Sequence, residues 1–215
     1  MSLLVGCESS GTVRDAFRAR GIDAYSCDLL QDQSGSPYHI VGDVLDVIAS
    51  RHWDALIAHP PCTYLCSSGL HWNKKRPERE QQTEFALQFV RALLNAPISH
   101  IAIENPVGRI GTAIRQADQY IQPYQFGHDA SKRTGLWLKN LPKLRPTAFI
   151  EPRMVNNKPR WSNQTDSGQN RLGPSADRWQ LRSKTYQGIA VAMANQWSAT
   201  IRRNSLDKGG NQRII

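Results

Sequence analysis

Four short runs rich in apolar residues divide the first half of the chain, and a polar turn follows each of them. They occupy residues 3–7, 23–27, 53–58 and 100–103. Short apolar runs that end in turn residues are typical of buried strands. The sequence therefore predicts four strands before residue 104.

Between these strands, apolar residues recur at the spacing of a helix. Val13, Ala16 and Phe17 share one face of TVRDAFRARG, and Gly21 ends that predicted helix. A second apolar stripe predicts a longer helix and consists of Phe85, Phe89, Val90, Leu93 and Leu94. Strands that alternate with helices predict a mostly parallel α/β sheet flanked by helices.

The polar turns coincide with the predicted strand ends. In parallel α/β sheets, ligands bind beyond the carboxyl ends of the strands, so these turns are expected to meet at one edge. They are the segment ESSG at residues 8–11, Asp28, Asp43, the segment PPC at residues 60–62 and the segment ENP at residues 104–106.

The pattern changes in the last third of the chain. Residues 1–137 form the predicted catalytic and cofactor-binding α/β core, and residues 138–176 form a small, loop-rich basic insertion. Residues 177–203 then return to the core as a helix, with Ile189, Met193 and Trp197 in register, and residues 204–215 are predicted as a flexible tail.

Charge and targeting signals narrow the class of protein. The chain has 215 residues and a net charge of +9, with the excess in its second half. A basic surface of this kind favours nucleic acid as the partner, and plain solubility is the alternative reading. No secretory signal and no apolar run of about 18 residues occurs. We therefore expect a cytoplasmic protein with no membrane partner.

The two cysteines of the segment HPPCTYLCSSG, residues 59–69, could belong to a metal site, a redox pair, the buried core or a reactive site. A mixed zinc site would need His59 and His71 beside Cys62 and Cys66, and a redox pair would need Cys-x-x-Cys spacing, which is absent. A buried structural cysteine suits Cys27 and Cys66. Cys62 follows two prolines at a strand end, which favours a fixed, reactive thiol activated by nearby cations. We predict no metal.

The segment CTYLCSSG, which begins at Cys62, resembles the nucleophile loop C-Q-x-F-S-x-A-G of the cytosine-C5 DNA methyltransferases. Downstream, Glu104-Asn105 stands as in the Glu-Asn-Val signature of that family, with Pro106 at the valine position. The segments QFG at residues 125–127 and KRT at residues 132–134 resemble the later segment F-G-x-x-Q-x-R-x-R. The resemblance covers roughly residues 1–140 and 175–198, and it implies a Rossmann-like methyltransferase fold.

The resemblance implies a role for each catalytic candidate. Cys62 would add as a thiolate to C6 of cytosine, so that C5 becomes able to attack a methyl group. Glu104 would hold N3 and the exocyclic amine as an acid, although a surface salt bridge is its alternative role. Asn105 would hold the loop, and Lys132 or Arg133 would steady charge near O2.

The implied cofactor is S-adenosylmethionine. By resemblance, the turn after the first strand and the amides of the following helix approach it, Asp28 accepts from ribose hydroxyls and Asp43 meets the adenine amine. Either aspartate is alternatively a helix cap. The candidate cofactor residues are Gly6, Cys7, Glu8, Ser9, Ser10, Gly11, Asp28, Leu29, Asp43, Val44, Pro60, Thr185 and Tyr186.

The implied partner is cytosine-containing DNA, duplex or single-stranded, bound by a monomer or a homodimer. A base in a duplex must be flipped out to be reached, and the loop at residues 63–79 is the expected lid. The short segment 138–176 implies relaxed sequence specificity and a phage-like enzyme in a bacterial cell. RNA cytosine, a pyrimidine nucleotide or a silent binding protein are alternatives. The candidate nucleic-acid residues are Ser67, Ser68, His71, Lys74, Lys75, Arg76, Arg153, Lys158, Arg160 and Arg171.

Overall fold

The computed structural model describes residues 1–70, 72–73, 75–175 and 178–209. The strands are β1 Ser2–Gly6, β2 Asp23–Asp28, β3 His39–Val41, β4 Ala55–Ala58, β5 His100–Pro106, β6 Gln119–Ile121, β7 Thr134–Lys139, β8 Arg153–Val155 and β9 Lys158–Arg160. The helices are α1 Thr12–Arg18, α2 Val44–Ser50, α3 Ser67–Leu70, α4 Pro77–Leu94, α5 Arg109–Ala113, α6 Arg178–Ser183 and α7 Gln187–Gly209, with a 3-10 turn at Pro123–Gln125.

Strands β1 to β7 form one sheet in the order β3-β2-β1-β4-β5-β7-β6. The first five strands pair in parallel, whereas β7 is antiparallel to both of its neighbours. The chain builds outward from β1 in one direction and then, from β4, in the other. The order therefore reverses between β1 and β4, which is the place where open α/β sheets leave a crevice for a ligand. The predicted mixed α/β architecture with a mostly parallel, helix-flanked sheet is confirmed.

Alternate residues of the strands supply the two faces of the core. Leu3 and Val5 of β1 point to the face covered by α1 and α7, where Trp197 is fully buried. Leu4 points to the opposite face, against Val90 of α4. This period of two is what a sheet buried on both faces requires, and it explains why the strands read as continuous apolar runs.

The predicted stripe on α4 is confirmed at Val90 and Leu93, which are buried, and at Phe89 and Leu94, which pack partly buried against the core, but it is wrong at Phe85. Phe85 is 53% exposed, and the buried face is made of Thr83, Leu87, Val90 and Leu93. Thr83 belongs to that face because its hydroxyl donates to the Tyr64 carbonyl at 3.1 Å. The buried face of α4 therefore keeps most of the predicted stripe and extends through Thr83 and Leu87 in place of Phe85.

The C-terminal third agrees with the prediction in part. Ile189 and Met193 of α7 are buried as expected, but the helix continues to Gly209, beyond its predicted end at residue 203. Residues 210–215 of the predicted tail lie outside the described part of the chain. The basic insertion contains an unpredicted hairpin, β8 and β9, whose turn residues Asn156 and Asn157 have φ of 48° and 58°. Two positive φ values are the signature of a tight hairpin turn, which asparagine tolerates.

Within the described residues, no helix combines the length and apolar character needed to span a bilayer.

Candidate functional site

A cavity of about 240 Å³ opens at the carboxyl edge of the sheet, beside the reversal of strand order. Its walls come from the ends of β1 and β2, the start of α2, the turn after β4 and one face of α4. The lining residues are Cys7, Cys27, Asp28, Leu29, Gly42, Asp43, Val44, Pro61, Tyr64, Ala86 and Phe89. Two carboxylates therefore face a mostly apolar hollow, which is the usual composition of a small-molecule site.

Five of the predicted cofactor residues lie on this wall, namely Cys7, Asp28, Leu29, Asp43 and Val44. Leu29 is 75% exposed, so the cavity mouth carries a large apolar side chain with little protein over it. Asp28 accepts a hydrogen bond from the Leu30 amide at 3.0 Å. Asp43 caps α2 by accepting from the Leu45 amide at 2.8 Å, so the helix-cap reading holds for Asp43 while it also borders the cavity.

Glu8 does not line the cavity, contrary to the prediction. Its carboxylate is buried and accepts from the amides of Val13 at 2.7 Å and Arg14 at 3.2 Å. Burial raises the pKa of Glu8, although the charge of His59 and these amide bonds act in the opposite direction. The first amides of α1, which were expected to face the cofactor, are therefore already bound by a side chain of the same chain.

Four other predicted cofactor residues near this turn are absent from the cavity wall, namely Gly6, Ser9, Ser10 and Gly11. A Cβ at Gly6 would lie 2.6 Å from Val44 Cγ2, so glycine lets β1 meet the start of α2 closely. Gly11 has φ of 67° and abuts the guanidinium of the buried Arg14. Among the described contacts, the Ser9 carbonyl accepts from Gln33 and the Ser10 hydroxyl from the Thr12 amide.

The loop that carries Cys62 is tied to the end of β5, which carries Glu104. The side-chain amide of Asn105 donates to the Pro60 carbonyl at 2.7 Å, so Asn105 holds the loop before Cys62. Pro60, a predicted cofactor residue, accepts this bond, whereas it is Pro61 that borders the cavity. Further along, the Ser67 amide donates to Val107 at 3.1 Å, and the Arg109 amide donates to Leu65 at 2.7 Å.

This close approach depends on Gly108, which pairs with Cys66 in an isolated bridge. A Cβ at Gly108 would overlap the Leu65 carbonyl oxygen and lie 2.8 Å from Cys66 Cα. Because the backbone has no room there for a side chain, the loop that carries Cys62 and the loop after β5 form one rigid unit.

Glu104 is held by a histidine that the sequence indicated only as a zinc candidate. His59 Nδ1 lies 2.9 Å from Glu104 Oε2, with the two side chains 8% and 12% exposed. Burial alone would raise the pKa of Glu104, but the hydrogen bond with His59 and the charge of Lys132 outweigh it, and the pKa is lowered. Glu104 is therefore ionised in the free chain. His59, like Glu104, directly follows a predicted apolar run, and this position was the signal that could have indicated a role for His59 at the same site.

The two candidate cations behave differently. The positive charge of Lys132 acts on both Cys62 and Glu104, and its ammonium donates to the Arg182 carbonyl at 2.9 Å. The Arg133 guanidinium instead lies over the Tyr120 ring, 4.3 Å from its centroid. The structure thus brings Lys132, but not Arg133, to the pair formed by Cys62 and Glu104.

A nearby cation, Lys132, lowers the pKa of Cys62 as predicted, but the net effect of the surroundings is to raise it. A hydrogen bond with the Cys66 thiol and burial raise it, and these effects outweigh the opposing charge of Lys132. The same hydrogen bond lowers the pKa of Cys66 to about 5, helped by the Ser68 hydroxyl and the Gly69 amide. The sequence suggested only a structural role for Cys66.

Beside Glu104 lies a second, smaller hollow of about 10 Å³. Predicted cofactor residues Thr185 and Tyr186 line it, together with Lys132 and Thr134. The volume suits a single water molecule.

The candidate nucleic-acid residues fall into two regions. Ser67 and Ser68 lie in α3, and Lys75 and Arg76 lie near the Trp72 ring, so the predicted lid at residues 63–79 is partly helical. His71 and Lys74 lie outside the described residues.

In the basic insertion, three arginines brace the loop itself. Arg153 pairs with Asp166 at 2.7 Å, Arg160 donates to the Asp166 carbonyl at 3.0 Å, and Arg171 donates to the Gln164 carbonyl at 2.8 Å. Lys158 is exposed at the end of the hairpin. These guanidinium groups donate to backbone carbonyls of the insertion, and the bonds hold in place a segment whose sequence predicts an irregular loop.

Comparisons with known proteins place the chain in no family. No family model matches it, and no curated protein matches it. Among solved structures, a co-crystal of WbdD with the kinase inhibitor LY294002 aligns at a TM-score of 0.38 with 13% identity, over 63% of this chain and 35% of that one. A 2.2 Å crystal structure of WbdD aligns at 0.36 with 13% identity, over 65% of this chain. The chain thus spans 35% of the length of each of these structures.

Proposed function

We propose that this chain transfers a methyl group from S-adenosylmethionine to C5 of cytosine in DNA, on a Rossmann-like methyltransferase fold. The observation that carries the proposal is the hydrogen bond of 2.7 Å from Asn105 to the Pro60 carbonyl. It ties the Cys62 loop to the strand end that carries Glu104, so that a thiol and a carboxylate act on each other beside a ligand-sized cavity.

The cavity at the reversal of strand order suits the proposed methyl donor. Asp28 would accept from ribose hydroxyls, as a carboxylate does at the end of the second strand of dinucleotide folds. Exposed Leu29 and the neighbouring Val44 offer apolar surface to a purine ring. S-adenosylmethionine, when bound, supplies a methyl group attached to a positively charged sulfur. Pro61, which precedes Cys62 in the chain, borders this cavity.

Each side chain around Cys62 has its own role in the proposed reaction. The sulfur of Cys62 adds to C6, which makes C5 electron-rich. Glu104 holds N3 and the exocyclic amine, while His59 fixes the second carboxylate oxygen. The charge of Lys132 stabilises the developing negative charge on the ring. The base reaches these groups only when flipped from its stack, and exposed Lys158 and Lys75 supply charge for the phosphates.

A panel of substrates tests the proposal directly. The protein is incubated with S-adenosylmethionine labelled in its methyl group and with duplex DNA, single-stranded DNA, RNA or dCMP. Label in the DNA fractions, located at C5 after digestion, is the expected result. Label only in RNA or dCMP would move the chemistry to another substrate, and no label in any fraction would leave a binding protein.

Trapping tests the nucleophile. DNA that contains 5-fluorocytosine is expected to give a denaturation-resistant adduct with the native protein, because fluorine blocks the final elimination. The same DNA without fluorine is the control and is expected to release the protein. Cys62→Ser is expected to form no adduct, and an adduct that persists in this variant would assign the nucleophile elsewhere.

A further inference from the structure

His59 and Glu104 lie side by side at the carboxyl ends of two neighbouring parallel strands. Ala58 of β4 pairs with Ile103 of β5, and His59 and Glu104 are the residues that follow this pair. The His59 amide also donates to the Gly6 carbonyl of β1 at 3.0 Å. The backbones of both residues are therefore held by the sheet.

The hydrogen bond between their side chains has a defined direction. His59 Nδ1 lies 2.9 Å from Glu104 Oε2, and the two side chains are 8% and 12% exposed. An ordinary glutamate is ionised at neutral pH, and here the bond with His59 and the charge of Lys132 outweigh burial and lower the pKa of Glu104 further. A carboxylate can only accept, so Nδ1 carries the proton of this bond.

The rest of the imidazole ring is committed to no other group in the described part of the chain. His59 Nε2 is buried and has no hydrogen-bond partner there. Glu8 is the other carboxylate whose charge acts together with that of His59. Its two oxygens already accept from the amides of Val13 at 2.7 Å and Arg14 at 3.2 Å, so Nδ1 is left to Glu104.

The other groups that face Glu104 come from two further elements. Lys132 and Thr134, before and at the start of β7, both favour the ionised carboxylate. Cys62, in the loop after β4, is disfavoured as a negative sulfur by the charge of Glu104. Among the described contacts, the hydrogen bond from His59 is the one that fixes a particular oxygen of the carboxylate.

We propose that His59 is a positioning residue for Glu104, because its Nδ1–H keeps Oε2 an acceptor and so assigns to Oε1 the proton that Glu104 shares with N3 of cytosine. The inference rests on the proposed function. An oxygen that already accepts an N–H bond is the less basic of the two. Oε1 takes up one proton from water as the base binds and donates it in a hydrogen bond to N3, while Oε2 accepts from the exocyclic amine. No covalent bond of His59 changes.

Nitrogen NMR tests the direction of the hydrogen bond without any substrate. The protein is labelled with ¹⁵N in its histidine rings, and the signals of His59 are identified by their loss in His59→Asn. At pH 7 we expect a proton on Nδ1. A proton on Nε2 alone, with a bare Nδ1, would make Glu104 the donor and would overturn the proposal.

Methyl transfer by two variants tests the role in the reaction. His59→Leu has no donor, so turnover is expected to fall by about 10²-fold through misplacement of the carboxyl group. Burial raises the pKa of Glu104, and the His59 bond is the largest effect that lowers it, so in His59→Leu the acid form persists to higher pH. The alkaline fall of the residual turnover is expected to shift in the same direction.

His59→Asn is the matched control. Its amide nitrogen can take the position of Nδ1 and donate to Oε2, so part of the turnover and the native pH profile are expected to return. Thermal unfolding of the native protein and of both variants measures any general loss of stability.

The outcomes separate the two hypotheses. A His59→Leu variant with the native rate and pH profile would refute the positioning role and leave the methyltransferase intact. Equal losses in both variants with an unchanged pH profile would also refute it, because His59 would then act through packing alone. Absence of transfer by the native protein in the full substrate panel would refute the proposed function, whatever the NMR of His59 shows.

Discussion

Replacing Gly108 by alanine tests whether the loop that carries Cys62 and the loop after β5 form one rigid unit. The new Cβ would overlap the Leu65 carbonyl oxygen and lie 2.8 Å from Cys66 Cα, whereas ordinary contact begins at 3.4 Å. The loops must therefore separate by at least 0.6 Å, the difference between 3.4 and 2.8 Å, and by more to clear the oxygen. The bond of 2.7 Å from the Arg109 amide to Leu65 then exceeds hydrogen-bond length.

The loss has a structural and a functional part. The Arg109–Leu65 and Ser67–Val107 hydrogen bonds cross the loops next to Gly108, and two such bonds together contribute about 1–3 kcal/mol to the free energy of unfolding. A shift of about 1 Å between reacting groups can lower a rate by about 10²-fold. Urea unfolding measures the first quantity, and transfer of labelled methyl groups to DNA measures the second. Binding of S-adenosylmethionine, measured by calorimetry, is expected to persist because Gly108 does not line that cavity.

Gly111→Ala is the matched control in the same segment. A Cβ there would first meet Gln116 Oε1 at 3.5 Å, an ordinary contact, so native stability and turnover are expected. If Gly108→Ala matched this control in both measurements, the rigid unit would be refuted. Loss of stability without loss of turnover would show that the separation of the loops does not govern the reaction.

Three further predictions concern charge, acid stability and packing. Glu104→Gln is expected to reduce turnover by about 10²-fold with unchanged calorimetric affinity for S-adenosylmethionine, because Glu104 does not line the cofactor cavity. Burial alone would raise the pKa of Asp32, but hydrogen bonds from Ser34 and Ser36 and the Arg14 guanidinium lower it below its ordinary 3.8. Its stabilising effect is thus present above pH 4 and lost on acidification, so the destabilisation by Asp32→Asn in urea is expected to shrink towards pH 2. Leu87→Ala should cost about 2–5 kcal/mol in urea, and exposed Phe85→Ala under about 1 kcal/mol.

Much of the fold follows from patterns that are local in sequence. β1, β2, β4 and β5 each coincide with a predicted apolar run to within two residues at their first position. The edge formed by β6 and β7 was not predicted. β6 has only three residues, too few to show an apolar or alternating pattern. Its strand conformation is stabilised by pairing with β7. Pairing of this kind depends on tertiary contacts that periodicity does not encode.

The candidate site shows the same division. Cys62, Glu104 and Asn105 were predicted from motifs at strand ends. Cys62 lies in the loop after β4, and Asn105, next to Glu104 at the end of β5, holds that loop at Pro60. The roles of Glu8 and Cys66 could not be predicted, because each depends on burial and on a partner whose orientation only the fold fixes. A carboxylate near a glycine turn reads equally well as a ligand group or as a helix cap.

Under the proposed function, three features of the free chain would oppose reaction until a base is present. Cys62 carries its proton, Glu104 is ionised, and the hollow beside Glu104 holds about 10 Å³. A flipped cytosine would change each of them together, because it opens the hollow, excludes water from Glu104 and raises the pKa of that carboxyl towards the value needed to share a proton with N3. Neutralising Glu104 removes the charge that disfavours a negative Cys62 sulfur, so binding of the base and activation of the nucleophile become one event. Such coupling would spare a cellular protein from keeping an exposed thiolate at Cys62 when no target is bound.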